Sequence, residues 1–271
     1  MHTRITEKSL NHVPCLLVFL ALSTLPVLSI GAESLSGRDI MQMVDDRDDG
    51  DTSRNEMVMT LTSRRGNVRT REVLSYSKDY GEDEKTVMVF LTPSDVKGVG
   101  YLTWSYEESG KDDDTWLFMP ALRKVRRISG SSRNDYFMGT DFTYDDMGDR
   151  EVDEDEHKLI GEETVDGKRC WVVESTPKDP NYMYSKKISK IRQDISMVVQ
   201  VDYFDRQGKL LKKLVVSQIE QINGIWTAGR MEMENLQDQH TTLMETRGVS
   251  YNQEVSDALF RVSTLEQGRI R

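Results

Sequence analysis

From residue 54 onward, apolar positions recur at every second residue in short runs separated by turn residues. Met57, Met59 and Leu61 alternate with Val58, Thr60 and Thr62, and Leu74 and Tyr76 mark a second run. This period predicts β-strands. "TVMVFL" (86–91) is apolar on both faces and predicts a strand in mid-sheet. "VGYLTWSY" (99–106), "TWLFMP" (115–120) and the long stretch 196–226 follow, then "RMEMENL" and "TTLMETRGVSYN". Asp166-Gly167 and Asn223-Gly224 each separate two strand-like runs, the signal of a type I′ hairpin. About ten strands joined by tight turns predict a mainly β (α+β) fold, one antiparallel sheet curled into an incomplete barrel.

One helix precedes the strands. Ser36 and Asp39 form a capping-box pair, Leu35 and Ile40 the matching hydrophobic staple, and "DDRDDGD" is the stop. Ile40, Met43 and Val44 line one face, which needs cover; the concave side of the sheet is where it would find it. The closing "SDALFRVSTLEQG" predicts a short helix or turn docking Leu259, Phe260 and Leu265.

The first 32 residues differ in kind. Arg4 and Lys8 precede "CLLVFLALSTLPVLSI", followed by Gly31 and Ala32, the pattern of a cleaved export signal. Its apolar core is short for a span, and Cys15 stands before the core rather than after it, so no lipidation site is read. Residues 33–271 are then expected to form a single exported domain. That part carries 34 basic and 45 acidic residues, a balance that argues against nucleic acid as a partner. Its one cysteine, Cys170, permits no internal disulfide.

Enzyme chemistry finds little footing. His157 and His240 are far apart, with no metal-binding spacing, and each reads as a surface strand residue. No G-x-S-x-G and no phosphate-cradling glycine loop is present. "DDRDDGDTSRNE" (45–56) approaches an EF-hand loop, but Arg47 stands at the third ligand position and a strand follows. No catalytic residue, metal or cofactor is expected.

A basic stretch in an acidic chain draws the eye: "PALRKVRRISGSSR" (120–133), with Arg123, Lys124, Arg126, Arg127 and Arg133. Upstream, Trp116 and Phe118 share one strand face, Leu117 and Met119 the other, and Pro120 interrupts the ladder. Cations on both faces beyond it suit a charge-guarded edge strand, or a docking rim for anionic head groups or an acidic partner. "DYFMGTDFTYDDM" follows, with Tyr136, Phe137, Met138, Phe142 and Tyr144. So apolar a loop must cover something, and it predicts a short helical lid over the open barrel. Trp116, Phe118, Met119, Phe137, Met138, Phe142 and Tyr144 are the expected lipid-binding and lid residues. Met57, Met59, Met231 and Met233 stand on strands as expected cavity lining; methionine suits varied apolar guests and ordinary core filling alike.

"DDTWLFMPALRKVRRISGSSRNDYFMGTDFTYDDM" and the run from "VVQVDYFDRQGK" to "SDALF" resemble the exported proteins similar to the outer-membrane lipoprotein-sorting (LolA/LolB-like) family. The resemblance implies a periplasmic half-barrel whose apolar cavity holds acyl chains, without catalysis. It also implies association with an RND-type lipid exporter. The partners to be expected are therefore a lipid or acyl chain, such a transporter, and transient membrane-surface contact. The alternative is an accessory subunit that docks on the transporter and carries nothing.

Overall fold

A computed structural model describes residues 35–108, 110–268 and 270; the expected signal segment lies outside them. Thirteen strands form one antiparallel sheet, where the sequence pattern predicts about ten. In chain order they are β1 (Thr52–Thr62), β2 (Val68–Tyr80), β3 (Asp83–Thr92), β4 (Gly100–Ser105), β5 (Asp114–Met119) and β6 (Lys124–Ile128). Then come β7 (Asp155–Val165), β8 (Lys168–Pro177), β9 (Tyr184–Arg192), β10 (Met197–Asp205), β11 (Leu210–Ile222), β12 (Ile225–Asn235) and β13 (His240–Tyr251). Strand β1 pairs with β13, so two meanders are joined side by side and the sheet runs from β6 at one edge to β7 at the other. The edges do not pair with each other. The chain between them, residues 129–154, crosses the concave face instead.

Turn chemistry sets much of this register. Asp166 and Gly167 both have positive φ (47° and 75°), as do Asn223 and Gly224 (51° and 93°), the type I′ geometry that Asx-Gly favours. "WLFMPALRKVRRI" is a hairpin rather than one outgoing strand. Pro120–Leu122 form a 3₁₀ turn, Arg123 adopts φ 46°, and Met119 pairs with Lys124. The unforeseen strand is β9, whose Lys186, Lys187, Lys190 and Arg192 mask its alternation. Lys186 meets Glu174 on β8, Lys187 and Lys190 reach across β8 to Asp155 and Glu163 on β7, and Arg192 meets Asp194 in the following turn.

The helix α1 (Gly37–Asp45) begins with the expected capping box between Ser36 and Asp39. Its buried stripe is Ile40, Met41 and Val44, not Ile40, Met43 and Val44. Ile40 is fully buried against Val173 and Ile191 on the concave face, while Met43 and Leu35 stay exposed. Residues 46–51 lead straight into β1, where Ser53 bonds Ser77 and Glu56 bonds Arg54; the EF-hand-like run is a helix-to-strand bend. The C-terminal helix α2 (Val262–Glu266) and the turn before it bring Phe260 and Leu265 onto the convex face of β3–β5, with Leu102 and Phe118. Among the described residues, no helix is long and apolar enough to cross a membrane.

Candidate functional site

Three cross-strand rows build the concave floor. Strand alternation puts Met57, Met59 and Leu61 on it, and register carries the rows across neighbouring strands. One row reads Arg71, Met59, Met244, Met231, Val216; the next reads Arg69, Leu61, Thr242, Met233, Leu214, Val201. A third holds Tyr203, Lys212, Asn235 and His240. The first two are a methionine-rich apolar floor, with Met59 and Met233 fully buried. The third is a polar border.

Residues 129–154 lie over this floor as a lid. Its centre is a tight turn: Tyr136 bridges Thr143, and the Phe137 N–H donates to the Phe142 carbonyl at 2.7 Å. Met138 (φ 49°) and Gly139 (φ 75°) reverse the chain between them. The turn drives Phe137 and Phe142 inward. Phe137 is fully buried, 5.1 Å from the Tyr101 ring, 5.5 Å from Tyr144 and 5.9 Å from Phe90. Phe142, Met138 and Tyr144 join the same apolar cluster as Met57, Met59, Met233 and Met244. The lid holds 3₁₀ turns and no α-helix, unlike the helical lid expected. Gly139, Gly148 and the Asp- and Thr-rich sequence between them favour turns over helix. The chain's own side chains thus cover the methionine floor, while a hollow of about 220 Å³ lined by Met41, Val44, Val198, Val201 and Tyr203 remains beside α1.

Polar contacts fasten the lid to the border row. Asp146 accepts from Lys212 Nζ at 2.5 Å, from the Thr143 N–H at 2.7 Å and from the Tyr184 hydroxyl at 3.0 Å. Lys212 also donates to the Asp141 carbonyl at 3.0 Å and lies 5.0 Å from the Tyr203 ring and 5.1 Å from that of Tyr184. Burial pushes both tyrosines well above the ordinary phenol range, so Tyr184 remains a hydrogen-bond donor. The Asp141 carboxylate holds Thr242 Oγ1 at 2.7 Å and His240 Nδ1 at 2.6 Å. Asn235 donates to the Tyr136 hydroxyl, and Arg71 Nη1 donates to the Met138 carbonyl at 2.7 Å. Burial lowers the Arg71 pKa, and no carboxylate pairs with it among the described residues. This arrangement can retain or release an apolar cover.

Residues 82–267 match a protein-family model whose description reads "uncharacterized protein". A DUF1329 family protein from Desulfovibrio piger is 38% identical, with a TM-score of 0.81 over 84% of this chain and 97% of that one. The chain belongs to the DUF1329 family. A domain from Vibrio parahaemolyticus assigned to outer-membrane lipoprotein sorting is 29% identical, with a TM-score of 0.80 over 85% of this chain and 98% of that one. A LolA superfamily protein from Nitrosomonas europaea shares the fold at 18% identity, with a TM-score of 0.66 over 85% of this chain and 99% of that one. No curated protein matches the chain.

In this DUF1329 chain the residues singled out by sequence divide between two faces. Phe137, Met138, Phe142, Tyr144 and Met119 gather in the concave cluster with Met57, Met59, Met231 and Met233. Trp116 and Phe118 do not join them. Alternation sends both to the convex face, where Trp116 stacks edge-on against Trp104 and Phe118 packs with Leu265. Arg123, Lys124, Arg126 and Arg127 are exposed on the β6 edge; Arg127 pairs with Asp114, and Arg126 bonds Ser132. Arg133 turns inward to Asp145 at 3.2 Å and serves the lid rather than the rim.

His157 and His240 are half-buried strand residues, each with hydrogen-bond partners. His157 bonds Ser175 Oγ and the Val152 carbonyl, both at 2.8 Å, and burial lowers its pKa. Since a carbonyl only accepts, Nε2 carries the proton and Nδ1 accepts from Ser175. Lys212 had a signal in the sequence: alternation puts it on one face with Leu214 and Val216, an odd place for a lysine without a partner. Its partner lies 66 positions away in the chain, beyond the reach of local pattern.

Proposed function

We propose that this protein is an exported, non-catalytic carrier that holds a lipid, or the acyl chain of a lipidated protein, on the concave face for transfer within the cell envelope. The observation behind this reading is the lid turn, whose two phenylalanines sit on the methionine floor as a removable occupant. Burying a Phe side chain stabilises by about 1.5–3 kcal/mol and a methylene by about 0.8 kcal/mol, so roughly four to eight methylenes offset both rings. Longer acyl chains exceed that and can displace the turn. The Vibrio relative assigned to lipoprotein sorting and the apolar N-terminal run support the same reading.

Native mass spectrometry of protein purified from an envelope fraction, with fluorescent fatty-acid uptake, tests it. Bound lipid or saturable uptake is expected, and Met231→Asp, which sets a charge on the floor itself, should reduce both. Lipid-free protein that takes up no probe would sink the proposal.

The covering of the methionine floor by the chain's own lid favours a second reading: an accessory subunit docked on an RND-type transporter through the cationic β6 edge, carrying nothing. Lys124→Glu with Arg126→Glu should then abolish complex formation, whereas on the carrier reading fatty-acid uptake survives that change.

A further inference from the structure

A second basic segment stands at the mouth of the lid. The hairpin "SRRGNVRTR" (63–71) between β1 and β2 carries Arg64, Arg65, Arg69 and Arg71 in a chain of net charge −10. Elsewhere on the sheet, Arg54, Arg192, Arg230 and Arg247 each lie within 3.4 Å of a carboxylate. Among the described residues, Arg64, Arg65 and Arg69 have no such partner. Arg71 lies on the same concave face, 7% exposed, donating to the Met138 carbonyl beside the Phe90 ring, with the Asp95 charge acting on it from beyond ion-pair distance. Four like charges on one hairpin repel one another, and an anion relieves that repulsion.

The hairpin tip opens on a hollow of about 460 Å³ whose lining includes Arg64, Arg65, Asn67, the lid's Tyr136 and Gly139, and His240. Two carboxylates also line it, Asp141 hydrogen-bonded by Thr242 and His240 and Asp238 by the Asn235 amide at 3.1 Å, so the anion is held at the arginine side of the hollow. An apolar side chain stands exposed at this end of the sheet, Leu236 at 39% on the β12–β13 turn, while Val68 on the hairpin points to the convex face. Cations beside an exposed apolar group fit a molecule that is both anionic and greasy.

We propose that this hollow is a phosphate site, with Arg64 and Arg65 holding the anion and Leu236 beside the apolar part of a lipid that enters beneath the lid. The inference rests on the carrier reading for the lipid and on the arginines alone for the phosphate. A lipid head group and free phosphate share this chemistry, and the planar guanidinium suits either as a bidentate donor.

The test compares binding of a fluorescent phosphatidylglycerol, the matching fluorescent diacylglycerol and inorganic phosphate to the full chain and to an Arg64→Glu/Arg65→Glu variant. The lipid source predicts that phosphatidylglycerol binds at least about tenfold more tightly than diacylglycerol, and that the variant loses this preference while keeping diacylglycerol. Arginine-dependent binding of inorganic phosphate without a lipid preference assigns the site to the free anion. If neither lipid binds but phosphate does, the carrier reading fails and the anion site stands. Equal affinity for the two lipids with no phosphate binding, or no effect of the variant, overturns the proposal. An Arg64→Gln/Arg65→Gln pair must show the same loss to a smaller degree, which guards against a reversal that disturbs the hairpin.

Discussion

Lys212 Nζ lies 2.5 Å from Asp146 Oδ2, with the two side chains 0% and 5% exposed. One comes from the floor and the other from the lid, so the lid cannot rise without separating two buried charges. Removing one partner of such a pair costs about 3–5 kcal/mol, because the other charge is left buried and unmatched. Lys212→Met should therefore destabilise the protein by roughly 3 kcal/mol in urea unfolding. Hydrogen exchange should speed up selectively over residues 136–146. Uniform loss of protection across the sheet would show instead that Lys212 stabilises the whole fold and does not latch the lid.

The latch shows where sequence reasoning reached and where it stopped. Asp166-Gly167, Asn223-Gly224 and the Ser36–Asp39 box are local signals, and each lies where the sequence predicts. The aromatic lid was legible too, because Phe137, Met138 and Phe142 are too apolar for an uncovered loop. Long-range partners were not. Strand β9 was hidden because its lysines find acids on strands that only the folded sheet brings alongside. Trp116 and Phe118 looked like lid residues because alternation separates two faces without saying which is concave. That is decided by the C-terminal segment, which docks Phe260 and Leu265 on their side.

Phe137 is the deepest side chain of the lid turn, and three aromatic rings surround it. Truncation to alanine should cost about 3–5 kcal/mol and leave an apolar cavity. An apolar cavity stays dry and accepts apolar ligands. Phe137→Ala should thus show a lower urea midpoint together with tighter binding of a fluorescent fatty acid. Weaker uptake than wild type would mean that Phe137 helps to hold the guest rather than occupying its place.

Gly37 opens α1 directly against β7. A Cβ there would lie 2.6 Å from Lys158 N and 2.7 Å from both His157 C and Leu159 N. These are backbone atoms of a paired strand and cannot yield as a side-chain tip can. Gly37→Ala should shift α1 away from Val173 and Ile191 and cost about 1–3 kcal/mol, despite alanine's better helix propensity. Thermal melting checks the direction. An unchanged or raised Tm would mean that α1 is not held at this point.

An acidic hollow of about 260 Å³ at the lid's C-terminal root gives the last test. Asp79 and Glu84 from the sheet, Asp45 and Asp49 from the end of α1, and Asp149 and Glu151 from the lid face one another there, with Glu82, Asp83, Glu107 and Arg150 at its walls. Arg150 is turned to Asp155 and Glu154. Burial, then the Asp149 charge, raises Glu84 from 4.5 to about 7; burial with Asp49 and Asp51 raises Asp79 from 3.8 to about 6. A carboxyl whose folded pKa exceeds its unfolded one binds more protons when folded, so its contribution to stability falls as pH rises through that window. Glu84 therefore favours the fold most below pH 4.5 and opposes it above pH 7. Glu84→Gln should raise stability at pH 8 by about 2 kcal/mol at most, solvent at the mouth screening part of the effect, and change it little at pH 5. Urea unfolding at the two pH values measures the difference. An equal gain at both would assign the effect to packing, and a loss at pH 8 would mean that the Glu84 charge is matched by a cation.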